Sequence, residues 1–324
     1  MAFSIGQIDA IVKQYIDSRL VDQVYSDMPL MYILKDKGKV GKYGRGTIQF
    51  PIIKSKGTNI VSYNEFDLLP TTPANSITAG SLTMGHYAGQ LTLGVQTLAN
   101  AMADGKDAVI NLLDAEQENT KLGLVDTMAT DLYTNSSETN NKIVGMAGII
   151  STTSTYANLA VADLADWKAK INSTDIALSA MELTDFKKQI QDQTIGTDYP
   201  DLAVTTQAVW NKIWALVVAN ERYVNPNTLS VKVGAWEGIQ IGQTTVIWDQ
   251  HIPTGLFVAN RDPFIVLNTK YLQVYVQSGY NIDSEQIATP INQDIRAWRC
   301  RWFGQLVCSK RRAQGAITSI DPAA

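Results

Sequence analysis

The sequence predicts an α+β fold with more than one domain, and three observations support this. One proline-free stretch, Asp104 to Asn135, has helical periodicity, whereas residues 295–309 alternate like a long strand. Between these two segments, helical and strand-like patterns follow one another without strict alternation, which is typical of α+β proteins. A chain of 324 residues is also longer than one simple core requires.

Residues 104–135 are predicted to form one long helix, about 45 Å in length at about 1.5 Å per residue. The acidic residues Asp104 and Asp107 suit a helix N-terminus. Polar residues at positions 116–120 interrupt the apolar face, so the middle of the helix meets either solvent or a neighbouring chain. The apolar face is predicted to be buried and consists of Val109, Leu112, Leu113, Leu122, Val125, Met128, Ala129 and Leu132.

The N-terminal residues are predicted to form an amphipathic arm, since Ile8, Ile11 and Tyr15 recur at helical spacing. Pro29 is predicted to end this arm, because the residue before a proline disfavours helix. A short apolar anchor follows at residues 30–34.

Residues 41–100 are predicted to form an extended hairpin loop. Residues 47–53 alternate like a strand in which Pro51 favours an edge position, and residues 82–95 are expected to form the returning strand. Because an isolated two-stranded hairpin is marginally stable, this one is expected to rest on something else.

The remaining elements are predicted from short patterns. Residues 142–156 suggest a loop with a short strand, and helices are predicted at 163–171, 178–191 and 207–219. Strands are predicted at 201–205, 229–233, 238–241, 244–248, 256–259, 271–276 and 295–309.

The strand at 295–309 is predicted to be half-buried. Arg299, Arg301 and Gln305 are expected on its exposed face. Its apolar face contains Trp298, Cys300, Trp302, Leu306 and Cys308, and the two cysteines are predicted to be buried thiols.

The composition gives little support for an enzyme. The only histidines, His86 and His251, have neither metal-ligand spacing nor a nucleophile motif around them, and no phosphate-binding glycine motif occurs. No metal or cofactor is therefore predicted. A formal net charge of −4 gives no global electrostatic case for nucleic-acid binding. No apolar run suits a signal peptide or a membrane span.

Two charge asymmetries indicate contacts between chains. Residues 104–133 contain seven acids and two bases, whereas residues 35–56 contain seven bases and one acid. A charged fraction of 18%, below the roughly 25% typical of soluble proteins, agrees with a surface that meets other protein. A basic run at residues 296–312 could contact either phosphate or carboxylates of a neighbouring chain, and the second is favoured because no nucleic-acid motif accompanies it.

The order of these elements resembles the major capsid proteins of tailed bacteriophages, which have the HK97-like fold. The segment Gly234–Gly255, GAWEGIQIGQTTVIWDQHIPTG, is similar to a passage late in their axial domain. The ending Ile291–Val307, with Arg296, Arg299 and Arg301, is similar to the last strand of their peripheral domain. The resemblance spans nearly the whole chain.

This resemblance implies four parts: an N-terminal arm (1–40), an extended loop (41–100), a peripheral domain (101–174 and 266–324) and an axial domain (175–265). It implies a non-enzymatic protein, made in a bacterial host cytoplasm, that self-assembles into hexamers and pentamers of the virion head. Packaged double-stranded DNA would lie inside without sequence-specific binding. A portal and, because the chain begins at Met1, a separate scaffolding protein are expected partners, whereas no membrane is expected.

The resemblance also implies inter-subunit contacts. Opposite charges are expected to meet between chains, and the apolar face of the arm is expected to cross a subunit boundary. The residues concerned are Lys54 and Lys56, Asp114, Glu116 and Glu118, and Ile8, Ile11 and Tyr15.

Two alternatives remain open. An encapsulin, a compartment shell of the same architecture, would hold enzyme cargo instead of nucleic acid. A soluble hydrolase using His251 or His86 near Asp249 would be a compact monomer.

Overall fold

A computed structural model describes residues 27–44, 46–53, 60–69, 71, 77–96, 106–137, 141–161, 167–220, 230–233, 236–287 and 294–323, some of them by backbone alone. The chain forms two compact units. The first unites residues before Thr47 with Met84–Gly145 and Gln273–Leu306. The second unites Thr47–Thr83 and Met146–Leu272 with the residues from Val307 onward.

The first described helix, α1, spans Pro29–Asp36 and begins at the proline that was predicted to end a helix. Proline suits the first helical position, because its φ is already helical and its missing N–H would have no intrahelical acceptor there. Leu30 and Leu34 of α1 are buried, so the predicted apolar anchor is one helical face. The predicted arm at residues 8–16 lies outside the described residues.

A four-stranded sheet belongs to the first unit, in the order β1-β12-β13-β4. β1 runs parallel to β12, and β13 runs antiparallel to β4. The strands are β1 (Val40–Tyr43), β4 (Gly85–Gly94), β12 (Leu272–Ile287) and β13 (Ile295–Cys308).

The predicted long helix is present as α2, Lys106–Thr134. It packs on β4, where a Cβ at Gly89 would lie 2.9 Å from Thr120 Cγ2, so only glycine fits there without a shift. Leu122 is 54% exposed, contrary to prediction. The predicted residues Val125, Met128, Ala129 and Leu132 are buried, and the side chains of Val109, Leu112 and Leu113 lie outside the described part.

An eight-stranded sheet forms the second unit, in the order β5-β14-β11-β7-β10-β9-β8, with β6 also pairing with β14. The last strand of the chain is therefore an interior strand. The strands are β5 (Lys170–Asn172), β6 (Ile176–Ala177), β7 (Leu202–Thr205), β8 (Ser230–Val233), β9 (Trp236–Ile241), β10 (Thr244–Trp248), β11 (Asp262–Leu267) and β14 (Gly315–Asp321).

Two helices pack on this sheet, α4 (Leu183–Gln193) and α5 (Gln207–Asn220), after a one-turn helix α3 (Met146–Ile149). The N-terminus of α4 is held by a capping box between Glu182 and Asp185. Buried apolar side chains from both helices and from the sheet form one core, including Phe186, Ile213, Val246, Phe264 and Ile317.

The extended hairpin is formed by β2 (Thr47–Ile53) and β3 (Ile77–Thr83) and differs from the prediction. The returning strand is residues 77–83, whereas residues 85–94 form β4 in the sheet of the first unit. The buried positions change from even at Leu82 and Met84 to odd at Tyr87, and this change of parity marks the break. A Cβ at Gly85 would lie 2.8 Å from Ile143 N, so the chain needs glycine at the break.

Several other predictions need correction. Residues 170–172 form a strand instead of the end of a helix, and residues 256–259 form turns instead of a strand. Strands β11 and β14 were not predicted. β11 is buried along its whole length and β14 at every residue except Asp321, so neither has a period-two pattern. The helix at 207–220 and the strands at 202–205, 230–233, 236–241, 244–248 and 295–308 agree with prediction within a few residues.

The two compact units divide the chain at other boundaries than the four predicted parts. Residues 273–306 belong to the first unit and the residues from Val307 onward to the second. The four-part division itself stays a prediction.

Candidate functional site

The base of the β2–β3 hairpin rests on the second unit's own residues. Ile48, Phe50 and Ile52 point to its buried face. The backbone N–H of Ser81 donates to Ala157 O over 3.1 Å, and a Cβ at Gly80 would lie 3.2 Å from the Ala157 Cβ. The close approach at Gly80 fixes the hairpin on residues 156–158 of the same chain.

Beyond its base the hairpin exposes large apolar side chains. Phe66 is 93% exposed and Leu68 is 99% exposed. Phe66 lies within a turn, and Leu68 follows it directly. In this turn Asp67 N donates to Asn64 O and Asn64 N donates to the Asp67 carboxylate, at 3.0 and 2.8 Å. Further exposed apolar residues on and around the hairpin are Ile53, Ile60, Val61, Tyr63, Leu69 and Ile77. Monomeric proteins rarely expose this much apolar surface, so the hairpin suits contact with another protein.

The predicted inter-subunit residues are only partly described. Glu116 is half-buried on α2, and its carbonyl accepts a hydrogen bond from Thr120 Oγ1 at 2.9 Å. Asp114 and Glu118 lie on α2, but their side chains lie outside the described part. Ile8, Ile11, Tyr15, Lys54 and Lys56 also lie outside it. The predicted contacts among these residues therefore stay predictions.

The basic run had suggested that Arg311 contacts phosphate or a neighbouring chain, but the structure gives it contacts within its own chain. Its side chain is fully buried, and burial lowers its pKa below the usual value. The guanidinium lies 5.5 Å from the Tyr156 ring centroid. It donates to backbone carbonyls of Gly148, Ile149, Ser151 and Ser154, at 2.8 to 3.1 Å. Arg311 is therefore a structural residue that holds the segment 148–154.

Other basic residues of this run also have partners within the chain. The Arg301 guanidinium donates to the Glu285 carboxylate and lies 5.1 Å from the Tyr280 ring centroid. The ammonium of Lys310 lies 3.8 Å from the Asp198 carboxylate. Arg299 is exposed. The within-chain carboxylates weaken the case for a single basic docking surface at residues 296–312.

The predicted burial pattern of the last arginine-bearing strand is largely confirmed. Trp298, Cys300, Trp302, Leu306 and Cys308 are buried, both cysteines are free, and burial raises the pKa of the Cys308 thiol to about 12. Gln305 is the exception, because it is fully buried and its Oε1 accepts from Val144 N at 2.8 Å.

A buried network joins β4 to the C-terminal end of α2, and the sequence did not predict it. The Tyr87 hydroxyl donates to the Asp131 carboxylate at 2.9 Å and accepts from Ile143 N at 3.0 Å. The Lys142 ammonium lies 2.9 Å from the other oxygen of Asp131. Burial raises the pKa of Tyr87. The sequence feature that could have indicated this network is the acidic residue Asp131 within an apolar helix face.

The histidines have local contacts. The His86 ring packs edge-on against Phe303 with centroids 4.5 Å apart. His251 Nδ1 lies 2.9 Å from Asp249 Oδ1, and the same oxygen accepts from the backbone N–H of His251. This local arrangement is that of an Asx turn, in which an aspartate bonds the backbone two residues on. Within the described ranges no group of three His, Cys, Asp or Glu side chains could hold a metal ion.

No helix in the part of the chain that the structure describes is long and apolar enough to cross a membrane.

Comparison with solved structures shows the fold. The chain is similar to a subunit of the cyanophage A-1(L) capsid, with TM-score 0.68, 16% identity and coverage of 91% of this chain and 93% of that one. It is also similar to the SrpI encapsulin of Synechococcus elongatus PCC 7942, with TM-score 0.57, 8% identity and coverage of 88% and 86%. A virus-like particle from Pyrococcus furiosus is similar to the chain with TM-score 0.55 and 12% identity, over 94% of this chain and 98% of that one.

In sequence, the chain matches no protein-family profile and no curated protein. The structural likeness nevertheless confirms the expected α+β, HK97-like capsid fold and the resemblance to capsid proteins of phages.

Proposed function

We propose that this chain is the major capsid protein of a tailed bacteriophage, which self-assembles into hexamers and pentamers that close an icosahedral head around packaged double-stranded DNA. The observation that supports this most strongly is the likeness to the cyanophage capsid subunit at TM-score 0.68 over 91% of this chain.

The exposed surface of the hairpin supports an assembling subunit. Burying a Phe or Leu side chain contributes about 1.5 to 3 kcal/mol, so leaving Phe66 and Leu68 in water forgoes several kcal/mol. A subunit that docks this hairpin on a second copy recovers that energy. In this proposal the basic segment with Lys54 and Lys56 faces acidic Asp114, Glu116 and Glu118 of the neighbour, and the arm with Ile8, Ile11 and Tyr15 crosses a subunit boundary.

Other partners follow from the same proposal. A scaffolding protein and a portal would take part in assembly, and the mature subunit would reside in the virion after synthesis in a bacterial host. DNA would be enclosed without sequence-specific binding, and the net charge of −4 provides no global electrostatic attraction to it.

An encapsulin is the second candidate, supported by the likeness to the SrpI encapsulin at TM-score 0.57. Both likenesses support a shell-forming subunit, and the contents of the shell distinguish the two candidates.

Sedimentation velocity and negative-stain electron microscopy of the purified chain test the shared part of these proposals. Capsomers or closed shells are expected, whereas a compact monomer at every concentration would exclude both shell functions and favour the hydrolase alternative. Analysis of particles from the organism that carries the gene separates the two shells: double-stranded DNA inside indicates a phage head, and an enclosed enzyme indicates an encapsulin.

A further inference from the structure

The four-stranded sheet of the first unit ends in two different edge strands. β1 is four residues long and has an exposed lysine, Lys42. β4 is ten residues long and contains no proline, aspartate, glutamate, lysine or arginine. Proteins usually protect edge strands by shortness, charge, proline or a bulge, because an open edge pairs with other chains. β1 has such protection, and β4 has little.

The hydrogen-bond pattern shows which groups of β4 face outward. His86 N donates to Asn141 O at 2.8 Å, away from β13, whereas Val95 N donates to Asp294 O at 3.2 Å, on the β13 side. Backbone groups alternate in direction along an antiparallel strand. Ala88, Gln90 and Thr92 therefore direct their N–H and C=O groups away from β13, as His86 does.

These outward groups are unpaired within the part of the chain that the structure describes. The hydrogen bonds there include none from the backbone of Ala88, Gln90 or Thr92 to a residue outside the β4–β13 ladder. The side chains of these three residues are exposed as well. Three successive outward positions thus form an accessible edge, about 13 Å long at roughly 3.3 Å per residue.

The β2–β3 hairpin shows what protection looks like in the same chain. The register pairs Ser81 with Gln49 and Ala79 with Pro51. Since Ser81 N donates outward to Ala157 O, Gln49 and Pro51 are the outward positions of β2. Proline offers no N–H at its outward position, and the Ser81 N–H is already occupied.

We propose that the outer edge of β4 is an interaction surface that accepts an extended segment from a second copy of this chain, which continues the sheet across the subunit boundary. The choice of a second copy rests on the proposed function. A second copy also agrees with the absence of charge along β4. An uncharged edge does not select an oppositely charged partner, and two such strands would bring no like charges together.

A proline substitution with a matched control tests this pairing. Thr92→Pro removes an outward N–H, which an edge strand tolerates, so the ladder with β13 remains. Thr92→Ala changes the same side chain and keeps the N–H. Assembly is measured by sedimentation, folding by thermal melting, and pairing of the wild-type edge by hydrogen exchange of the amides of residues 88–92 in free and assembled protein.

We expect Thr92→Ala to assemble as the wild type does, and Thr92→Pro to fold but to require at least about tenfold higher concentration for assembly. In the wild type, exchange at Ala88, Gln90 and Thr92 is expected to slow at least about tenfold on assembly, since paired amides exchange only after opening.

If the wild type forms shells but exchange at these amides is unchanged, the proposed pairing is wrong and the proposed function still stands. Normal assembly of Thr92→Pro leads to the same conclusion. Slowed exchange that appears only with an added accessory protein assigns the edge to that protein instead. A wild-type chain that never associates overturns both the pairing and the proposed function. If Thr92→Pro does not fold, the exchange measurement on the wild type decides.

Discussion

Arg311 is a buried cation whose hydrogen bonds go to carbonyl oxygens. Its planar guanidinium presents five donors in a fixed arrangement, and four backbone carbonyls between Gly148 and Ser154 accept them. A lysine has three donors on a flexible stem and cannot reproduce this arrangement. The identity of one side chain therefore fixes a segment that lies more than 150 residues earlier in the sequence.

Replacing Arg311 by lysine is expected to destabilise the protein by about 2 to 4 kcal/mol, because buried carbonyls lose their donors. Urea unfolding of the monomer measures the effect. Arg299→Lys is the control, since Arg299 is exposed, and its expected effect is within about 0.5 kcal/mol. Equal effects of the two substitutions would show that the buried contacts of Arg311 contribute nothing specific.

Asp198 predicts a dependence of stability on pH. A hydrogen bond from Lys270 and a second from Tyr271 hold the pKa of this carboxyl below its usual value. A depressed pKa means that the ionised carboxylate stabilises the fold above the unfolded pKa, and that this contribution is lost as the pH falls through the folded pKa.

Asp198→Asn is therefore expected to lower stability at neutral pH and to flatten the decline of stability below about pH 4, near the unfolded pKa of aspartate. Thermal melting between pH 2 and 7, compared with the wild type, checks the slope. A variant whose melting temperature declines as steeply as that of the wild type would contradict the role of Asp198.

The hairpin predicts a separation between folding and assembly. Phe66 and Leu68 are almost fully exposed, so replacing both by serine removes no contact within the described subunit. The unfolding free energy is expected to change by less than about 0.5 kcal/mol. If both side chains are buried on assembly at about 1.5 to 3 kcal/mol each, the concentration required for assembly rises at least about a hundredfold.

Sedimentation of the double variant across a concentration series measures this shift, with Val218→Ser on α5 as the exposed apolar control. Unchanged assembly of the Phe66 and Leu68 variant would show that the exposed end of the hairpin takes no part in subunit contact.

How much of the fold the sequence predicts depends on the periodicity of each element. The long helix is a proline-free run with acidic residues at its start, the strand at 295–308 alternates, and both were predicted nearly to their ends. β11 and β14 are buried on both faces, so no alternation distinguishes them. The returning strand of the hairpin was predicted wrongly. The buried positions change from even to odd residue numbers at Gly85, but the alternation of apolar and polar residues looks continuous there.

The candidate site was less predictable, because charge in a sequence does not show its partner. Arg299, Arg301 and Arg311 occur in one basic run, yet one is exposed, one pairs with Glu285 and one is enclosed by carbonyls. The exposed apolar positions at Phe66 and Leu68 lie in a stretch without periodicity, and only the three-dimensional structure shows that nothing in the described subunit covers them.

At the scale of the whole molecule, the chain passes between its two units several times before it ends. β14 is the last strand, yet it lies between β5 and β11, and β6 also pairs with it. The sheet of the second unit therefore lacks an interior strand until the C-terminal residues are in place.

Truncation after Gln314 tests the importance of this strand. It removes Ile317 and Ile320 from the core, at about 1.5 to 3 kcal/mol each, together with the backbone ladders on both sides of β14. It also removes Gly315, which packs so closely on β5 that a Cβ there would lie 2.1 Å from Lys170 O. The combined loss is comparable with the roughly 5 to 15 kcal/mol of unfolding free energy of a typical domain, so the second unit is expected not to fold.

Circular dichroism and limited proteolysis measure this loss of folded structure. Removing only Pro322–Ala324 is the control, and its effect is expected to stay within about 0.5 kcal/mol. A chain truncated after Gln314 that melts cooperatively at the wild-type temperature would show that β14 is dispensable.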